Sequence, residues 1–99
     1  MKNEIIISSL AMDLKRAAIG LNRGSLKMAE KFCAEAAERR QELDVSNLKQ
    51  YVKNVIFEVE KMFAQKDNDR KAEGFLMYST ILQNFVVSNG GTVGQSVAR

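Results

Sequence analysis

The chain has 99 residues, of which 45% are hydrophobic and 27% are charged, and its formal net charge is +3. This length supports one domain with a single core, and the high apolar content with a low net charge excludes an intrinsically disordered chain. The chain has no Pro or Trp, and its many Ala, Glu, Lys, Leu and Met residues lose little rotamer freedom in a helix. Composition therefore predicts a small all-α domain.

Apolar residues recur at three- and four-residue steps between Ile5 and Leu21, which predicts a first amphipathic helix. The polar segment after it predicts a reversal, because Gly24 can adopt the left-handed conformation that ends a helix and the Ser25 hydroxyl can cap the next one. The apolar stripe keeps nearly the same phase across this segment, so one long helix over residues 5–43 is the alternative. We favour the reversal.

A second helix is predicted from Leu26 to about Leu43, with Glu35 and Arg39 paired four residues apart on its solvent side. Ser46 is the expected cap of a third helix. The third helix has a wide apolar face at residues 48–63, as a core helix requires, and its pattern is the clearest in the chain.

The polar run at residues 65–69 predicts a turn in which an Asp or Asn caps a fourth helix, extending from about Ala72 to Ser88. Residues 89–99 contain three glycines and no apolar period, which predicts a flexible tail. Four helices with short connections predict an antiparallel up-and-down bundle over residues 1–88.

The fourth helix is apolar over more than one face, so it is expected either to be central or to face a partner. A surplus of apolar surface is typical of a protein interface. We therefore expect a non-enzymatic interaction module that binds a protein or a second copy of itself. The interface residues expected on this helix are Phe75, Tyr78, Ile81, Phe85 and Val87.

The turn around Arg23 gathers basic residues, and the free N–H groups after Ser25 would add a helix-terminus anion site. Nucleic acid or another anion is therefore the alternative partner. Asp13 and Glu30 lie nearby, and a plain solvated turn accounts for the same charges. The candidate anion-binding residues are Lys15, Arg16, Arg23, Ser25, Lys27 and Lys31.

The segment from Gly24 to Ala36 has Gly, then Ala five residues on, then Ala seven further. Within residues 8–43 it resembles a helical hairpin of the tetratricopeptide family or of the MIT domains. The resemblance implies that Ala29 and Ala36 let the two helices approach closely and that the resulting groove binds peptides or helices. A close-packed hairpin in an unrelated bundle accounts for the same residues.

Catalytic chemistry has little support in the sequence. The chain lacks His and has a single Cys, which removes the usual general base and the common zinc and iron–sulfur sites. Cys33 is expected to be a small core residue. We therefore expect no enzyme activity, no metal and no cofactor. A single Cys, no signal-peptide pattern and no run approaching roughly 18 apolar residues predict a cytoplasmic protein without a membrane span.

Overall fold

The structure is a computed structural model, and it describes residues 3–88. These residues form an all-α antiparallel up-and-down bundle, which confirms the predicted fold class. The helices are α1 (Asn3–Asn22), α2 (Leu26–Glu42), α3 (Gln50–Phe63) and α4 (Asn68–Ser88), with a 3₁₀ turn at Val45–Asn47. The predicted tail, residues 89–99, lies outside the described residues.

The reversal at Gly24 is confirmed, and one long helix over residues 5–43 is not formed. Gly24 has φ of 75°, and its N–H donates to the Leu21 carbonyl at 3.2 Å while the Ser25 N–H donates to the Gly20 carbonyl at 2.8 Å. These are the paired hydrogen bonds of a Schellman motif. The Ser25 hydroxyl then accepts from the Met28 N–H at 3.3 Å and caps α2.

The connection between α2 and α3 differs from the prediction, because Ser46 does not cap α3. Asp44 accepts from the Ser46 N–H at 3.2 Å and from its hydroxyl at 2.6 Å, and it thereby starts the 3₁₀ turn. The N-cap residue of α3 is Lys49, which makes no side-chain cap hydrogen bond. Asn3 exchanges hydrogen bonds with the Asp44 backbone at 3.0 and 3.1 Å, which ties the start of α1 to the end of α2.

The predicted cap in the polar run before α4 is confirmed. Asp67 accepts from the Asp69 N–H at 3.0 Å and from the Arg70 N–H at 3.3 Å through one carboxylate oxygen. Its carboxylate satisfies N–H groups at the start of α4 that have no partner within the helix.

Helix α1 is the most enclosed element of the described bundle, since it packs against both α2 and α4, while α3 packs against α4. Neighbouring residues on α1, such as Ile6 and Ile7, are both buried, because the helix is covered on more than one face. The core draws on all four helices, with Phe75 of α4 among its largest fully buried side chains.

The hairpin of α1 and α2 depends on a close backbone approach at Gly20. A Cβ atom at this position would lie 2.8 Å from the backbone N and 3.1 Å from the Cα of Ala29. Ala29 and Ala36, the expected small contacts, are both buried. Small residues therefore line this part of the α1–α2 contact.

Candidate interaction surfaces

The predicted interface residues of α4 do not share one surface. Phe75 lies fully in the core, and its ring meets Phe63 edge to face with centroids 5.8 Å apart. Phe85 is also buried, with its ring 5.9 Å from that of Tyr51. Placing these two rings at an interface is therefore incorrect, because the bundle uses them internally. Of the remaining predicted residues, Tyr78 and Ile81 are half-buried, whereas Val87 is exposed.

An open groove of about 400 Å³ lies between α3 and α4. Its floor is at Gly74, where the side chain of Met62 lies so close that a Cβ atom would overlap its Sδ atom. Met77, 50% exposed, stands at the groove. The groove is lined by Met62, Arg70, Glu73, Gly74, Met77 and Tyr78. Of these, only Tyr78 was among the predicted interface residues.

The rim of this groove carries charges of both signs. Glu73 is exposed and forms no ion pair within residues 3–88. Arg70 is also exposed, and its Nε atom lies 3.9 Å from the Asp67 carboxylate, at the outer limit of an ion pair. Both side chains are accessible to a partner, because Glu73 has no ion-pair partner among the described residues and the exposed pair of Arg70 with Asp67 is only weakly held.

The structure brings only part of the predicted basic site together. The Arg16 guanidinium lies 5.6 Å and the Lys31 Nζ atom 5.4 Å from the centre of the Phe32 ring, so helices α1 and α2 each contribute a cation to one aromatic ring. Lys15, Arg23 and Lys27 are exposed. The Ser25 hydroxyl acts as the cap of α2.

Asp13 is a buried acid in the α1–α2 contact, with only 7% of its surface exposed. Burial raises its pKa, and the nearby charge of Glu35 raises it further, whereas Arg39 and Arg16 lower it. Glu35 does not form the predicted pair with Arg39, whose ion-pair partners are Glu38 and Glu42 at 3.8 and 3.6 Å. The burial of Asp13 had a signal in the sequence, since Asp13 follows Leu10 by three residues and is therefore in phase with the buried stripe of α1.

Cys33 is half-buried on α2, and burial raises the pKa of its thiol. The nearby positive charge of Lys71 opposes this effect. A raised pKa leaves little thiolate at neutral pH, so this thiol is poorly suited to nucleophilic chemistry.

Residues 3–88 contain no group of three or more Cys, Asp or Glu side chains placed to hold a metal ion. Within that range, none of the helices is long and apolar enough to cross a membrane.

Comparison with known proteins yields no matching family model, no matching curated protein and no matching solved structure. The function of this chain is therefore inferred from the surfaces of the bundle.

Proposed function

We propose that this chain is a non-enzymatic helical interaction module that self-associates through the groove between α3 and α4. The observation that carries the proposal is the side chain of Met77, a residue 50% exposed, beside an open groove of about 400 Å³. Methionine adapts its shape to irregular surfaces, and exposed methionines favour adaptable apolar binding.

The groove has the features of a surface that can bind its own copy. In a two-fold dimer the same patch meets itself, so a projection and a hollow must lie side by side on one subunit. Met77 provides the projection, and the groove over Gly74 provides the hollow. The rim is suited to the same arrangement, because Arg70 of one copy can face Glu73 of the other.

An interaction role is preferred over catalysis because the chain has no His to act as the usual general base and because burial raises the pKa of its single thiol. The reducing cytoplasm suits a chain with a single cysteine, and we propose that compartment for the module.

We further propose that residues 8–43 form a tetratricopeptide-like or MIT-like hairpin. The buried small residues Ala29 and Ala36 support this proposal.

Sedimentation velocity over a protein range of about 1 μM to about 1 mM tests self-association. The wild-type chain should shift from monomer to dimer, and Met77→Glu should remain a monomer because it places a charge in the apolar contact. Leu26→Glu is the matched control, since Leu26 is 56% exposed at the start of α2. A wild-type chain that stays monomeric, or equal behaviour of the two variants, would refute the proposal.

Anion binding at the basic turn is the second candidate, favoured by the convergence of Arg16 and Lys31 on Phe32. Its test is filter binding of single-stranded RNA and duplex DNA at increasing salt, with Arg16, Arg23 and Lys27 replaced together by Ala. The triple variant should bind more weakly and with a shallower salt dependence, because fewer counterions are released. Unchanged affinity and salt dependence would eliminate this candidate.

A further inference from the structure

Helix α3 carries the most exposed large apolar side chain in the described bundle, that of Phe57, which is 60% exposed. The α3 residues that enter the core are Val52, Ile56 and Val59, so Phe57 lies outside the buried stripe. An aromatic ring in this position contributes little to the core, and its exposure costs free energy unless another surface covers it.

Phe57 borders a small cleft of about 60 Å³ that is distinct from the groove between α3 and α4. The cleft is lined by Arg40, Val45, Lys53, Ile56 and Phe57, and it shares no lining residue with that groove. Small-molecule sites usually occupy about 300–1,000 Å³. The cleft is therefore sized for one aliphatic side chain of a larger partner.

The charges around this cleft are mainly positive. Arg40 forms an ion pair with Glu60, and Lys61 lies 3.3 Å from the Glu58 carboxylate. Lys53 lines the cleft and forms no ion pair within residues 3–88. Because Lys53, Phe57 and Lys61 are spaced four residues apart, they lie along one side of α3.

Lys49, one turn before Lys53, adds a further positive charge at the start of α3. It is exposed and has no ion-pair partner among the described residues. The ion pairs neutralise Arg40 and Lys61. Beyond these pairs, Lys49 and Lys53 outnumber the one remaining carboxylate next to the lining in sequence, that of Asp44, so the balance of charge at the cleft is positive.

We infer that this cleft docks an acidic peptide segment of a partner protein, which inserts one aliphatic side chain beside Phe57. The apolar wall accounts for the aliphatic side chain, and the lysines account for acidic residues on either side of it. Complementary charge at the rim steers association and rejects basic partners, while the buried apolar contact supplies most of the affinity. This inference goes beyond self-association and uses a different surface.

Fluorescence anisotropy of the full chain with labelled model peptides tests the inference. The first peptide has about twelve residues, with one leucine flanked by glutamates, and the second carries lysines in place of the glutamates. A single-stranded RNA oligonucleotide is the third probe, because lysines beside an aromatic ring also suit a nucleic acid. The variants are Phe57→Ala and Lys53→Glu.

Two substitutions away from the cleft serve as matched controls. Leu26→Ala, at the start of α2, removes an apolar side chain with nearly the same exposure as Phe57, 56% against 60%. Lys66→Glu makes the same charge change as Lys53→Glu at an exposed lysine in the connection between α3 and α4, which lines neither the cleft nor the groove. Far-ultraviolet circular dichroism verifies that all variants keep their helical content.

The acidic peptide should bind the wild-type chain in preference to the basic peptide and the RNA. Phe57→Ala should weaken this binding about tenfold or more. Lys53→Glu should weaken it about fivefold at low salt, with a smaller loss at high salt. Lys53→Glu should also gain affinity for the basic peptide, and neither control should change binding by more than about twofold.

Several results would overturn the inference. One is the absence of acidic-peptide binding at about 1 mM wild-type protein. A second is equal binding by Phe57→Ala and Leu26→Ala, or by Lys53→Glu and Lys66→Glu. Tighter binding of the RNA, with the same dependence on Phe57 and Lys53, would identify a nucleic-acid surface in place of a peptide site.

Discussion

Replacing Gly20 with Ala tests the close backbone approach of α1 and α2. The added Cβ atom would lie 2.8 Å from the backbone N of Ala29 and 3.2 Å from the Cγ of Met28. Cβ contacts shorter than 3.0 Å essentially do not occur, so the substitution forces α2 to move. A helix backbone cannot rotate away as a side chain can.

The expected effect follows from two opposing contributions to the free energy of unfolding. Alanine gains about 1 kcal/mol over glycine within a helix, whereas forcing a methyl group into a packed interior costs about 1–3 kcal/mol. Gly20 lies near the end of α1, in its last turn, where the helix-propensity gain is smaller. We expect Gly20→Ala to destabilise the chain by about 1–2 kcal/mol, and each kcal/mol lowers Tm by about 4–8 °C in a domain of this size.

Urea unfolding followed by circular dichroism measures this effect, with Gly74→Ala as the matched control. A Cβ atom at Gly74 would meet only the side chain of Met62, which can change rotamer. Gly74→Ala should therefore stay within about 1 kcal/mol of the wild type. A stability of Gly20→Ala equal to or above the wild type, or equal changes in the two variants, would refute the backbone-contact explanation.

Further predictions concern the buried Asp13, the helix cap Ser25 and the thiol of Cys33. Because the pKa of Asp13 is raised in the folded state, its contribution to stability is present at low pH and is lost as pH rises from the ordinary value of 3.8 towards the raised value. Asp13→Asn should therefore be more stable than the wild type at neutral pH and lose this advantage in acid. Urea midpoints of the two chains between about pH 3 and pH 8 measure the difference. A variant that is less stable than the wild type at neutral pH and gains on it in acid would contradict the raised pKa. Ser25→Ala should lower the free energy of unfolding by about 1 kcal/mol, measured by the same titration, whereas Ser9→Ala, which alters no cap, should change it less. Cys33 should react with iodoacetamide more slowly than free cysteine at neutral pH and should approach the free rate in denaturing urea, since unfolding removes the burial that raises its pKa; equal rates in the folded chain would show an accessible thiolate.

The helices and the turn at Gly24 could be predicted because their signals are local. A glycine followed by a serine between two apolar periods specifies a left-handed residue and a cap, and both are present. The same reasoning failed at Ser46, because Asp44 lies two residues before it and binds both its N–H and its hydroxyl. Neighbouring polar groups compete for the same donors, and sequence alone does not rank them.

The surfaces were harder to predict because they depend on which helices become neighbours. Phe75 and Phe85 were predicted to lie at an interface of α4, but the bundle buries both rings. Phe57 carried a usable signal, since it falls outside the phase of Val52, Ile56 and Val59 on the same helix. The groove over Gly74 had no such signal, because it arises from the packing of Met62 across α4.

The resemblance of residues 8–43 to a tetratricopeptide or MIT hairpin stays a prediction. Burial of Ala29 and Ala36 fits it, but close packing through alanine also occurs in unrelated helical bundles. The chemistry of the groove is a more direct guide to function than this local pattern.

The central claim is that the groove between α3 and α4 binds a second copy of the chain, and a charge exchange at its rim tests this most directly. Arg70→Glu leaves acidic side chains at both rim positions, and Glu73→Arg leaves basic side chains at both, so copies of either variant should repel one another. Sedimentation velocity should find each variant monomeric when alone and a heterodimer when the two are mixed in equal amounts. Dimers of both separate variants as stable as those of the wild type, or a mixture that remains monomeric, would contradict the proposed interface.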